Sequence, residues 1–145
     1  MPGKEDCLNH PNPDESERKL LSDIEEFGWH VVLVPEEGAE PPFAFSVGLY
    51  RTFQHPEIIL VGLPLVSMHV IINNIGHDIK SGKKYSTGST SSELGLAGYE
   101  FRFRTVDKNN YREYLGYAGW YYKGNQFPAL QCIWPDKLHR FPWHP

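Results

Sequence analysis

The sequence predicts an α+β fold: a single domain with a mixed or mainly antiparallel, curled sheet of about five strands and three helices. Three observations carry this. Apolar residues recur at helical spacing between Asp14 and Gly28, between Pro64 and Gly82, and over 110–122. Five other stretches alternate or run apolar as strands do, at 29–34, 43–49, 57–62, 99–106 and 127–136. The first three of those strands arrive in succession over short connections, which favours antiparallel pairing.

Residues 1–13 hold three prolines and no periodicity, so they read as a flexible arm ahead of one globular domain over 14–145. Asp14 stands three residues before Glu17, a capping-box start, and Leu20, Leu21, Ile24 and Phe27 follow on one helical face. Gly28 stops that helix. "WHVVLV" (29–34) is rich in β-branched residues and ends at Pro35. In 43–49 the large side chains Phe43, Phe45, Val47 and Leu49 alternate with Ala44, Ser46 and Gly48. The small face makes room for a packed helix or a tightly coiled sheet, or else for a flat ligand against backbone. "EIILVG" (57–62) is continuously apolar, as in a central strand covered on both faces.

Pro64 suits the first turn of the second helix, whose inner face carries Leu65, Met68, Ile72, Ile75 and Ile79. The Ser- and Gly-rich stretch 83–98 reads as a long loop and lacks the order of a P-loop. In "YEFRFRTV" (99–106) aromatic residues face one way and Glu100, Arg102 and Arg104 the other. Asp107 or Asn109 can cap the third helix, and "FPALQCIWPD" (127–136) supplies the last strand.

Composition narrows the function. With 40% hydrophobic and 22% charged residues the chain is globular rather than disordered. Its net charge of −4 gives no long-range attraction for extended nucleic acid or anionic lipid. The N-terminus has no apolar core of a signal peptide, and no run is long enough to span a bilayer, so a cytoplasmic location is expected. Cys7 and Cys132 build neither a disulfide framework nor a zinc spacing, and Cys132 reads as a buried, unreactive thiol. His69 and His77 stand eight apart, unlike an i, i+4 ligand pair, and no spacing supports metal ligation by His55, His139 and Cys132.

The polar residues after the second strand are the first candidates for chemistry. His55 precedes a proline, which biases it toward extended backbone, and Glu57 follows two residues on, on the same face if both are extended. A carboxylate beside an imidazole orients it and raises its pKa, and Arg51 on the same connection can clamp an anion. The plainer reading is a polar strand start in which Glu57 bonds backbone amides. Gln131 interrupts an apolar strand and must bond either backbone or ligand. Trp134 and Trp143 form either an aromatic wall or C-terminal packing, and Asp136 bonds either a ligand hydroxyl or its own turn.

The ordered blocks "FGWHVVLV", "FAFSVGL", "HPEIILVGLP", "INNI" before "SGKKY", "ALQCIWPD" and "FPW" resemble a bacterial family known only as a domain of unknown function. Its members look like "GW-x-V", "F-x-Y-T-x-GL", "HPE" before apolar residues, "QLVWPD" and "FPW". The resemblance covers the chain from about residue 25 to 143 by the positions of the blocks, and departs at Phe45 and Ser46, where tyrosine and threonine are usual. It implies membership rather than an activity. Its blocks fall on Ser46, Gly48, His55, Glu57, Gln131 and Asp136. At the level of fold the opening strands are also similar to flavin-binding split barrels.

The expectation is therefore a small-molecule site for a nucleotide-like or phosphorylated ligand between the 50–57 connection and the 131–143 segment. Arg51, Ser46, Gly48, Gln131, Trp134, Asp136 and Trp143 would bind the ligand. His55 would be the general acid/base of a metal-independent hydrolysis, oriented by Glu57. The alternatives are a non-catalytic immunity or accessory factor and a flavin-binding oxidoreductase. No cofactor is otherwise expected, and the oligomeric state is left open.

Overall fold

The computed structural model describes residues 15–91 and 100–133. The N-terminal arm, Trp134, Asp136, Trp143 and the Pro-rich tail lie outside the described residues. The first helix is α1, Glu15–Phe27, followed by β1, His30–Val34, and β2, Phe43–Val47. A short helix α2, Leu49–Phe53, leads into β3, Glu57–Val61, and the long helix α3, Leu65–Lys80. Strands β4, Thr90–Ser91, and β5, Phe101–Thr105, precede helices α4, Tyr111–Tyr114, and α5, Gly116–Tyr122. The described chain closes with β6, Ala129–Ile133.

The described strands make one open, mixed sheet in the order β1-β2-β3-β6-β5-β4. Only β3 and β6 pair in parallel. The α+β class is as the sequence predicts, with six strands. Strand β4 escapes a reading by pattern because its two residues sit in a Ser- and Gly-rich stretch with no alternation. Its pairing with Arg102 and Phe101 defines it instead. The helix expected over 110–122 is broken: Leu115 leaves helical geometry (φ −124°, ψ 40°), and Gly116 and Gly119 weaken the second half. Asp107 caps the turn before it, accepting from the Asn109 N–H at 2.9 Å.

The sheet separates two apolar cores. One face carries Ala44, Ile58, Leu60, Leu130 and Cys132 against Met68, Ile71, Ile72 and Ile75 of α3. The other carries Val32, Phe45, Val47 and Ile59 against Leu20 and Ile24 of α1 and Leu115 and Ala118 of the α4–α5 region. Each fully buried Val, Leu, Ile, Phe or Met among them contributes about 1.5–3 kcal/mol. Strand β3 is central and covered on both sides, as its apolar run predicts. The small face of β2 receives α3, the packed-helix alternative. Phe27 departs from expectation: it ends the apolar stripe of α1 yet is 53% exposed.

Trp29 joins the end of α1 to α3. Its indole Nε1–H donates to Asn73 Oδ1 at 3.0 Å. Gly76 supplies the space, since a Cβ there would stand 2.6 Å from the indole carbons Cε2 and Cζ2. The hydrogen bond and the surrounding core keep the ring from moving aside. Gly76→Ala is expected to destabilise the protein by about 1–3 kcal/mol, the usual cost of overpacking. Urea denaturation measures it, and a variant as stable as wild type would contradict the close packing.

Candidate functional site

The corner between β2 and β3 is built around Glu57, which is fully buried. Its Oε1 accepts from Ser46 Oγ at 2.7 Å and from the Leu49 N–H at 3.2 Å. Its Oε2 accepts from the N–H groups of Gly48 at 2.9 Å and Tyr50 at 3.2 Å, and from the Tyr122 hydroxyl. The first amides of α2 have no partner within their own helix, and Glu57 supplies one. Ser46 also acts as an acceptor, since its Oγ receives the Ile58 N–H at 2.9 Å. Burial pushes the Glu57 carboxyl above the ordinary carboxylate range, against the opposing effect of the bonds from Tyr122, Ser46 and the amides.

His55 is turned toward the opposite core. Its Nδ1–H donates to the Pro56 carbonyl at 2.9 Å, and its Nε2 accepts from the Tyr85 N–H at 2.9 Å. Both ring nitrogens are thus spent on backbone, and the ring packs edge-on against buried Tyr85. His55 pins the segment after α3 to the start of β3. Burial pushes its imidazole below the ordinary value. Glu57 bonds the amides of α2 and does not orient it.

Among the described residues, the structure does not bring His55, Gln131 and Arg51 together. Gln131 lies between Leu130 and Cys132, which enter the α3-side core, so its side chain falls on the α1 side of the sheet. His55 lies with Tyr85 on the α3 side. Arg51 is exposed on α2, where its backbone N–H donates to the Tyr122 oxygen at 3.3 Å. Ser46, Gly48 and Glu57 do converge, with one another.

A different cluster gathers at β1, an edge strand of the described sheet. A cleft of about 440 Å³ is lined by Lys19, Asp23 and Phe27 of α1, by Trp29, His30 and Val31, and by His69, Asn73, His77 and Lys80 of α3. Within it His30 Nδ1–H donates to Asp23 Oδ2 at 2.7 Å, and Lys19 Nζ donates to Asp23 Oδ1 at 2.9 Å. Among the described residues no protein group bonds His30 Nε2. The His77 ring stands edge-on to Trp29, 5.2 Å between centroids. Burial works upward on Asp23, but the hydrogen bonds and charges of Lys19 and His30 leave its carboxyl below the usual range. Burial, helped by neighbouring Lys19 and His69, takes His30 below its ordinary value against the lift from the Asp23 hydrogen bond and charge. His30 is therefore neutral at pH 7, its one proton on Nδ1 and its lone pair on Nε2.

An imidazole held in one tautomer by a carboxylate, with the other nitrogen open to a cleft, can serve as a general base. Sequence reasoning misses this pair because Asp23 and His30 sit on different elements, either side of the Gly28 stop. The available signal is the polar stripe His69, Asn73, His77 at i, i+4, i+8 on α3, set apart from its inner face of Met68, Ile72, Ile75 and Ile79. No group of three or more His, Cys, Asp or Glu among the described residues is placed to hold a metal ion. No helix among them is long and apolar enough to cross a membrane.

Residues 23–145 match the family model described as Domain of unknown function (DUF4262). The chain belongs to that family. The matched span begins at Asp23, so it takes in His30 and the whole α3 wall of the cleft. No match was found among curated proteins or among solved structures.

These environments set the response to substitution and to pH. Glu57→Gln turns an amide donor toward N–H groups that can only donate, and is expected to cost about 3 kcal/mol or more; Tyr122→Phe is expected to cost about 1–2 kcal/mol. Chemical denaturation of both variants checks the order, and a Glu57→Gln protein no weaker than Tyr122→Phe would contradict it. For pH, His30 and His55 are both held below their ordinary value in the fold. The unfolded chain therefore binds more protons as pH falls below about 6.5, and their stabilisation is lost from there toward their folded pKa values. Glu57, shifted upward, acts in the opposite sense. The histidine part is read by difference: the fall in Tm from pH 7.5 to 5.5 should be smaller in His55→Gln than in wild type. An equal or larger fall would contradict it.

Proposed function

We propose that the chain binds a small phosphorylated, nucleotide-like molecule in the cleft between α1, β1 and α3, and hydrolyses it with His30 as general base. The observation that carries this is the 2.7 Å bond from His30 Nδ1 to Asp23 in a cleft of about 440 Å³. Asp23 fixes the tautomer, so the Nε2 lone pair is directed to where an attacking water would lie. Volume within the range of small-molecule sites supports the reading. So does the lining: Lys80, exposed at the last turn of α3, offers a cation to an anionic group. Phe27, half exposed at the rim, offers a flat apolar ring to a base or similar group.

This moves the acid/base role from His55, whose nitrogens are both engaged, to His30. It keeps the ligand class expected from the sequence and gives up the convergence of His55 with Gln131.

A thermal-shift screen against nucleotides and other phosphorylated small molecules tests binding. A true ligand at 100 times its Kd is expected to stabilise by about 2.7 kcal/mol, and Lys80→Ala should weaken that shift. Turnover of the ligand found should drop by about 10²–10⁴-fold in His30→Asn, with Tm lowered far less than in Glu57→Gln. Shifts unchanged in Lys80→Ala and His30→Asn, or turnover untouched by His30→Asn, would place the ligand elsewhere and overturn the reading.

A further inference from the structure

Building on that reading of the cleft, we infer that the ligand has a second part, an uncharged, hydroxyl-bearing sugar ring, which fills a second cavity beyond β1. That cavity has a volume of about 660 Å³. It shares Lys19, His30 and Val31 with the cleft, so the two are compartments of one groove that rounds the edge of the sheet. Backbone alternation explains how one strand lines both. His30 and Val32 stand on the α1 side of the sheet, while Val31 and Leu33 stand on the α3 side. Because β1 is an edge, no strand among the described residues closes the way between the two sides. His30, bonded to Asp23, sits at the junction.

The lining of the second cavity decides what it can hold. Buried Leu20 and Val32 give it an apolar floor, and α5 adds the half-buried ring of Tyr117. An aromatic ring beside aliphatic side chains suits a ligand ring with an apolar face. Glu15 and Ser16, exposed in the first turn of α1, add a carboxylate and a hydroxyl. A carboxylate only accepts hydrogen bonds, so it selects a group rich in O–H donors.

Charge points the same way. With His30 neutral at pH 7, Glu15 and Lys19 balance in this compartment, and Lys19 is already bonded to Asp23. A phosphate placed here would be repelled by Glu15. Lys80, the other lysine of the groove, lines the first compartment alone. The groove is thus divided by chemistry: an anionic group belongs near Lys80, and a neutral polyol belongs past His30. A nucleoside diphosphate sugar has its parts in that order, with the base for Phe27, the phosphates for Lys80 and the sugar beyond them.

Isothermal titration calorimetry of the full chain tests this with two matched pairs, UDP with UDP-glucose and ADP with ADP-glucose. At least one sugar nucleotide is expected to bind about tenfold or more tighter than its diphosphate, although it carries less negative charge for Lys80, because the added ring gains hydrogen bonds to a charged acceptor. Glu15→Gln, a change at an exposed position, and Tyr117→Ala are expected to bring that ratio of affinities back toward one. Lys80→Ala should weaken the sugar nucleotide and the diphosphate together. Sugar nucleotides bound no tighter than their diphosphates in both pairs, or a ratio that neither Glu15→Gln nor Tyr117→Ala lowers, would overturn this inference while leaving the cleft and His30 in place. Absence of binding by all four compounds would overturn both.

Discussion

The buried carboxylate of Glu57 is the interaction on which the arrangement rests. Withdrawing a carboxylate from water costs several kcal/mol even after relaxation. Hydrogen bonds to a charged group contribute about 1.5–3 kcal/mol each, and Glu57 accepts five, from Ser46, from three consecutive amides and from Tyr122. The bonds together offset that cost, and the corner needs all its donors to hold its full stability. That requirement ties together β2, α2, β3 and α5. It also fixes Gly48, whose missing side chain lets the corner press on α1. A Cβ there would lie 2.8 Å from the Gly28 carbonyl and 3.1 Å from the Trp29 Cα. The backbone just before His30 is thereby set by a carboxylate outside the cleft.

How much of this is legible in the sequence depends on the range of each signal. Helix α1, strands β1 to β3, helix α3 and strand β5 are readable because periodicity is local. So is the central position of β3, since an unbroken apolar run needs cover on both faces. Helix α2 is not, because its five residues carry no period; it exists because Glu57, beyond its far end, receives its first amides. Spacing puts Glu57 within reach of either His55 or backbone amides, and only the corner geometry decides for the amides. His55 and Glu57 are, as their spacing suggests, two polar groups at a strand start, yet their side chains serve different partners. Asp23 with His30 is out of reach for another reason. Nothing local states that a helix turned back by Gly28 will lay its last turns beside the strand after it.

The same sheet that organises the fold decides where a site can form. Its interior strands keep the two cores apart, so His55 and Gln131 are divided by packed hydrocarbon. Groups from α1, on one face, and α3, on the other, can meet only around an edge. Strand β1 is such an edge, and the cleft lies there.

The outer edge of His-Val-Val-Leu-Val, which no strand among the described residues pairs, is a hazard, because open amides and carbonyls invite another strand. Charged and polar side chains gathered along the edge oppose that pairing, since a strand added there would have to bury Lys19, Asp23 and His30. The Asp23–His30 pair can therefore serve two needs with the same atoms. It keeps the edge wet, and it holds an imidazole nitrogen open to solvent. A site confined by topology to an edge strand would carry this double duty whatever ligand it takes. Replacing its polar lining with apolar residues would remove the chemistry and expose the edge together.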